Sequence, residues 1–200
     1  MNVGKCKIVP LKEAIELQKK FIKIDDTKEY KLVTVKLHTK GVFLRSIKFG
    51  SEIKTKKQQI CHTNQFIVAE IDAKVGGFGI IPKDLDGAIV SSHYYLYNID
   101  ETKLLNEYLN YVIKTRFFQS QVVAKGSTNY ASIRGYQPLD YKIPLPSLPI
   151  QKKIISYLMD LEEKIGSVIE INTTINEELK IILPSIYESA FKSTPSGTKK

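Results

Sequence analysis

The sequence contains no apolar run near the roughly 18 residues that a membrane-spanning helix needs. Its opening, MNVGKCKIVPLKEAIELQKK, has no sustained apolar stretch and carries Glu13 and Glu16, so a secretory signal is not expected. Cysteine is scarce: Cys6 and Cys61 stand far apart with no CxxC pair, which suits a reducing cytoplasm with both thiols buried or idle. Histidine is scarce too. His38, His62 and His93 form no HxxxH motif and no His/Cys cluster, so no metal site is expected. GGFG (76–79) is not the GxGxxG of a dinucleotide loop and opens no helix.

Charge is present in excess of one sign, and its placement matters more than its size. The net charge is +9; residues 1–149 carry 23 basic and 14 acidic residues, and residues 150–200 carry seven of each. The excess concentrates between Lys31 and Ile60, where eight basic residues face one acid, Glu52. That imbalance exceeds what solubility requires and points to nucleic acid first, an acidic membrane surface second.

Local pattern predicts an α+β head. Leu11, Ile15, Gln18 and Ile22 share a helical face, which predicts a short helix from Leu11 to about Lys23. KLVTVKL (31–37) alternates as a strand, Gly41 permits a turn, and VFLRSI (42–47) reads as a second strand. QFIVAEI (65–71) and GAIVSSHYYLYNI (87–99) are also β-rich. KLLNEYLNYVIKTRFF (103–118) is helical in period, through Leu105, Tyr108, Leu109, Val112 and Phe117. KGSTNYASIRGYQPLDYK (125–142) is irregular and polar. Mixed strands and helices over about 145 residues fit an α+β domain.

IPLPSLPIQKKI (143–154) then marks a junction. Pro144, Pro146 and Pro149 make a stiff extended connector, and no proline follows for 34 residues. Proline is tolerated in a first helical turn, so Pro149 is expected at the helix start. From there, steps of four and three residues land on Ile154, Leu158, Leu161, Ile165, Val168, Asn172, Ile175, Leu179 and Ile182. Eight of the nine are Ile, Leu or Val, and the intervening positions are rich in Glu and Lys. This is a coiled-coil seam, taken here as a dimer interface. The helix is expected to run from Gln151 to Leu183, to end or kink at Pro184, and to give way to a disordered tail, KSTPSGTKK. The expected division is 9–146 as head, 150–191 as helical region and 192–200 as tail.

Catalytic chemistry is hard to find. A DNA methyltransferase needs an Asn/Asp-Pro-Pro-aromatic stretch, and the only Pro-x-Pro here lacks those neighbours. The alternative with most support is an Mg²⁺-dependent nuclease. Glu52-Ile-Lys54 and Asp72-Ala-Lys74 have acid-x-Lys spacing, which on a strand places both side chains on one face. A second alternative is a basic adaptor for RNA or an acidic protein. A DNA-reading surface needs cations for phosphates and mixed polar groups for base edges, and two stretches supply both. One is IKTKKQQ, with Lys54, Thr55, Lys56, Lys57, Gln58 and Gln59. The other is KGSTNY, with Lys125, Ser127, Thr128, Asn129 and Tyr130, followed by Arg134. With Lys40, Arg45, Lys74, Ser91 and Ser92 they form the candidate DNA-contacting set. No catalytic and no metal-binding residue is assigned.

The ordered series GVFLR, G-x-EIKTKKQ, FIVAEIDAKVGGFGIIP, LDGAIVS, GST…RG and IPLPSLPIQKKI resembles the specificity subunits of Type I restriction–modification systems. It looks like one target recognition domain with its adjoining conserved helical region. The resemblance spans about residues 9–191. It implies a non-catalytic subunit that reads one half of a bipartite double-stranded DNA site. It also implies docking to methyltransferase (modification) subunits and, through them, to a restriction subunit. S-adenosylmethionine, ATP and Mg²⁺ are then expected on those partners, with no cofactor on this chain. Full-length members carry two recognition domains; this chain has one, so a homodimer through the helix is expected. The family's usual Glu-Gln at the helix start is Ile150-Gln151 here, so only the glutamine carries over.

Overall fold

The computed structural model describes residues 6–18, 20–123 and 132–192. In chain order the strands are β1 (Ile8–Pro10), β2 (Ile15–Leu17), β3 (Ile22–Lys23), β4 (Glu29–Lys36), β5 (Gly41–Phe49), β6 (Lys57–Ile60), β7 (Phe66–Ala69), β8 (Phe78–Ile80), β9 (Ile89–Val90), β10 (Tyr94–Ile99) and β11 (Lys142–Pro144). The helices are α1 (Asn106–Val112), α2 (Arg116–Gln119), α3 (Gln137–Asp140) and α4 (Leu148–Lys192). Short 3₁₀ turns join several of them. One sheet has the order β2-β10-β7-β8, a second β3-β6-β9-β4-β5, and β1 pairs with β11 alone.

Strand alternation builds two cores on either side of one sheet. All four residues of β7 are buried. Phe66 and Val68 point into one cluster and Ile67 into the other, as period two requires. On β10, Tyr97 and Leu96 divide in the same way. The first cluster is aromatic: Phe66, Phe78, Tyr97, Phe118 and Tyr141 meet at centroid distances of 5.4–6.4 Å, mostly edge to face. The second is aliphatic and lies under the β4–β5 hairpin, where Val33, Val35 and Val42 are buried.

The α+β expectation holds, with corrections in detail. Residues 11–23 are not a helix. Leu11–Glu13 form a 3₁₀ turn, and β2 pairs antiparallel with β10, Ile15 opposite Ile99 and Leu17 opposite Tyr97. Apolar residues at helical spacing there satisfy a buried turn and strand instead, and pairing with a distant strand decides the outcome. The single helix read over 103–118 is two. The Thr115 hydroxyl donates to the Val112 carbonyl at 2.7 Å and accepts from the Phe118 N–H at 3.2 Å, closing α1 and capping α2.

The proline junction runs from a strand directly into the long helix. β11 ends at Pro144, and Pro149 sits in the first turn of α4. The helix does not stop at Pro184 but continues to Lys192, although the proline removes the N–H that would serve the Lys180 carbonyl. At 45 residues it is about 68 Å long at 1.5 Å per residue. Two compact units result, residues 1–155 and 156–200. The first turns of α4 belong to the first unit: Gln151 is fully buried, and Ile154 and Ile155 pack on the aromatic core. Ile154, read as the first seam position, is therefore taken by the head's own core. In the second unit Leu158 and Leu161 are half-buried. Ile165, Val168, Ile175, Leu179 and Ile182 are 44–57% exposed, and Asn172 is exposed.

Candidate nucleic-acid interface

The β4–β5 turn is the first element of the site. His38 and Thr39 adopt positive φ, at 59° and 54°, and Lys40 follows them exposed. The turn is pinned by two backbone bonds, His38 N–H to the Val75 carbonyl at 2.8 Å and Thr39 N–H to the Gly76 carbonyl at 2.9 Å. Gly76 has φ +77°, and a Cβ there would sit 3.0 Å from the Thr39 nitrogen, so glycine serves both the turn and the close approach. This docking brings Lys40 and Lys74 to neighbouring turns, since Lys74 lies on the 3₁₀ turn Asp72–Val75.

The same turn connects to β10. Asp72 and Arg45 both act on the half-buried Tyr94 phenol. Burial is the main cause of its raised pKa, the Asp72 carboxylate adds to it, and the Arg45 guanidinium opposes it. Arg45 is exposed on the edge strand β5, at a register shift opposite Leu32 and Val33. Ser91 and Ser92 lie in the turn before β10. That turn is held from below by Gln59, whose Nε2 donates to the carbonyls of Ser91 at 3.2 Å and Tyr94 at 2.8 Å.

Glu70, at the end of β7, ties in the last group. Its Oε2 lies 2.9 Å from His93 Nδ1 and its Oε1 lies 3.5 Å from an Arg134 guanidinium nitrogen. Arg134 thus stands beside the Ser91–His93 turn. The segment after it is strapped to β10: Tyr97 Oη donates to the Gly135 carbonyl at 2.8 Å, and a Cβ on Gly135 would lie 2.8 Å from the Tyr95 ring.

The lysine-rich stretch 54–57 divides by role. Lys54, Thr55 and Lys57 are exposed, and the Lys57 ammonium lies 4.8 Å from the Phe21 ring centroid. Lys56 is engaged internally, donating to Asp26 and to the Gly50 carbonyl. Gln58 and Gln59, read with the lysines as base-edge donors, are buried and hold backbone carbonyls instead. Lys125, Ser127, Thr128, Asn129 and Tyr130 lie outside the described residues. Sequence reasoning missed Glu70, His93 and Tyr95. The only signal for His93 and Tyr95 was the run of hydroxyls and aromatics in SSHYY, and Glu70 had none.

The nuclease geometry does not form. Glu52 closes a 3₁₀ turn and accepts the Phe49 N–H at 2.9 Å, and Asp72 opens another 3₁₀ turn, so neither acid-x-Lys triplet lies on a strand. Among the described residues no three His, Cys, Asp or Glu side chains converge as metal ligands. No described helix is long and apolar enough to cross a membrane.

The family model for the Type I restriction modification DNA specificity domain matches residues 5–188, from the first strand to the far part of α4. The chain belongs to this family. Its fold is that of solved specificity subunits. The HsdS subunit from Thermoanaerobacter tengcongensis superposes with a TM-score of 0.74 at 17% identity, over 90% of this chain and 47% of that one. A chain from a type I R-M system solved to explain complex assembly and conformational transition gives 0.69 at 18%, over 96% and 51%. The S subunit of the Type I system from M. genitalium gives 0.54 at 17%, over 92% and 47%. The specificity-domain chain spans about half the length of these structures. No curated protein matches it in sequence.

Proposed function

We propose that this chain serves DNA sequence recognition in a Type I restriction–modification complex, through one recognition domain and its adjoining helical region. The observation that carries the reading is the family match across both the head and α4, over residues 5–188. The head supplies the chemistry DNA requires. Lys40, Arg45, Lys54, Lys57 and Lys74 are exposed cations suited to phosphates, and the Ser91–His93 turn with Arg134 offers directional groups suited to base edges. Lys125 to Tyr130 precede Arg134 in the chain and complete the proposed set.

The chain itself carries out no chemistry and binds no cofactor. Modification subunits that bind S-adenosylmethionine dock to it, and a restriction subunit using ATP and Mg²⁺ joins through them, in the cytoplasm. One head reads one half-site, so a bipartite site takes two chains, paired through the open α4 seam. The test is selection of bound duplexes from a random pool by the purified chain. Enrichment of a two-part site with inverted halves supports the reading; a pool without sequence preference, or protein-dependent cutting of plasmid in Mg²⁺, overturns it.

A further inference from the structure

We infer that Glu70 is a positioning residue that holds His93 and Arg134 as one reading unit, and so governs discrimination between DNA sequences rather than affinity for DNA. The inference rests on the DNA-recognition reading above.

A carboxylate on a DNA-binding face is at first sight a liability, because phosphates repel it. Glu70 is placed to avoid that cost. Its side chain is only 17% exposed, while those of His93 and Arg134 are 71% and 65% exposed. A carboxylate so enclosed needs partners, and each oxygen has one, His93 Nδ1 at 2.9 Å and Arg134 at 3.5 Å. The backbone framework is independent of the side chain: Glu70 N–H donates to the His93 carbonyl at 2.8 Å, and Ile133 N–H donates to the Glu70 carbonyl at 3.0 Å. The carboxylate is therefore free to serve as an aiming device. It also acts on the Tyr95 phenol, whose pKa is raised first by burial and then by Glu70, with Arg134 opposing.

What it aims comes from two separate parts of the chain. His93 ends the Ser91–Ser92 turn, its N–H lying 3.4 Å from the Ser91 hydroxyl, and Arg134 follows the 125–130 stretch. A guanidinium that reads a base edge with two parallel bonds must be held in plane, and one that only meets a phosphate need not be. Ordering a long exposed side chain during binding costs entropy, and Glu70 supplies part of that order beforehand. Losing the carboxylate has two effects of opposite sign. General phosphate affinity is kept or rises, because a negative charge has gone. The advantage of the correct sequence falls.

The experiment measures binding of the full chain to its pool-selected duplex and to a scrambled duplex of equal composition, for wild type, Glu70→Gln and Glu70→Ala. The ratio of the two affinities is expected to drop about tenfold in Glu70→Ala, the scale of a lost charge-assisted contact. Affinity for the scrambled duplex stays level or increases. Glu70→Gln keeps shape and an acceptor for Arg134 and is expected to fall between. In a His93→Ala/Arg134→Ala background, Glu70→Ala should change the ratio of the two affinities no further. An unchanged ratio in Glu70→Ala, or an equal loss on both duplexes, overturns the inference while leaving the DNA reading in place. A wild type that fails to distinguish the two duplexes removes the DNA reading, and this inference with it.

Discussion

The side-chain carbonyl of Gln151, near the start of the long helix, accepts the backbone N–H of Leu105 at 2.9 Å, across 46 residues of sequence. Its amide nitrogen donates to the carbonyls of Lys103 at 2.7 Å and Pro146 at 2.9 Å. Leu105 is the cap residue of α1, which has no side-chain cap of its own. One fully buried amide therefore joins the α1 start, the proline connector and the first turn of α4. The glutamine that the family pattern carries over to this chain has a mechanical reason to be there.

Replacing Gln151 by alanine leaves a buried N–H and two carbonyls without this partner and opens a void. The expected cost is about 2–3 kcal/mol of head stability, read from urea unfolding. Gln151→Glu should cost more, because a carboxylate would face the Lys103 and Pro146 carbonyls with no proton to donate. A loss below about 0.5 kcal/mol for alanine, within the range of an ordinary surface change, would show that water takes over the amide's bonds.

Alkaline pH should destabilise the head. Burial pushes the Cys61 thiol up to about 12 and the Tyr108 and Tyr141 phenols up to about 12; Tyr97 is raised further by the same cause. The unfolded chain loses these protons at lower pH, near the ordinary values of 9.0 for the thiol and 10.0 for the phenols, while the folded chain retains them. Their contribution is complete below about pH 8.5. It declines as pH rises toward 12, by up to about 1.4 kcal/mol per pH unit for each group. Urea midpoints at pH 8, 9.5 and 10.5 check the sign, which a flat or rising profile contradicts.

DNA binding should depend steeply on salt, and the lysines of one stretch should not behave alike. Four phosphate contacts among Lys40, Arg45, Lys54, Lys57 and Lys74 give a slope of log K on log salt of roughly −3.6 per chain. Lys57→Ala should reduce the slope by about 0.9 on every sequence. Lys56→Ala should leave the slope nearly unchanged and lower stability, since its ammonium already serves Asp26 and the Gly50 carbonyl. Equal slope changes for the two variants would place both on the phosphates.

The hairpin and the long helix were legible in the sequence because long, strongly periodic segments leave one reading. KLVTVKL alternates over seven residues, of which the first six lie in β4, and the heptad pattern falls within the single helix α4. Residues 11–18 were not legible. Leu11 and Ile15 fit a helical face, but pairing of β2 with a strand some 80 residues away overrides so short a pattern. The site was half legible. Exposure of Lys40, Arg45 and Lys57 follows from their charge, whereas Gln58 and Gln59 are polar residues turned inward to hold carbonyls up to 35 residues distant. Glu70 was invisible for the same reason: its partners lie 23 and 64 residues along the chain.

The final prediction concerns the seam of α4. An isolated helix with Ile165, Val168, Ile175, Leu179 and Ile182 each 44–57% exposed lacks the cover that such a stripe requires. Pairing with a second copy supplies it, and light scattering at micromolar concentration should report a dimer. Val168→Glu with Ile175→Glu should return a monomer with the same urea midpoint for the head. The expected arrangement is antiparallel, because a two-fold axis then places one head at each end and matches an inverted repeat in DNA. Asn172 is the polar position in the seam. Overlap centred there lets it meet its own copy, which fixes register at some cost in stability. Such a pair is expected to act as a ruler between half-sites. One heptad inserted into each helix between the head and Asn172 moves each head about 10 Å from the axis at 1.5 Å per residue, so the two heads separate by about 21 Å, or roughly six base pairs at 3.4 Å each. Pools selected by the wild-type and inserted chains should share their half-sites and differ in spacer by about that amount. A monomer in solution, or an unchanged spacer, would assign the measurement of distance to something other than this helix.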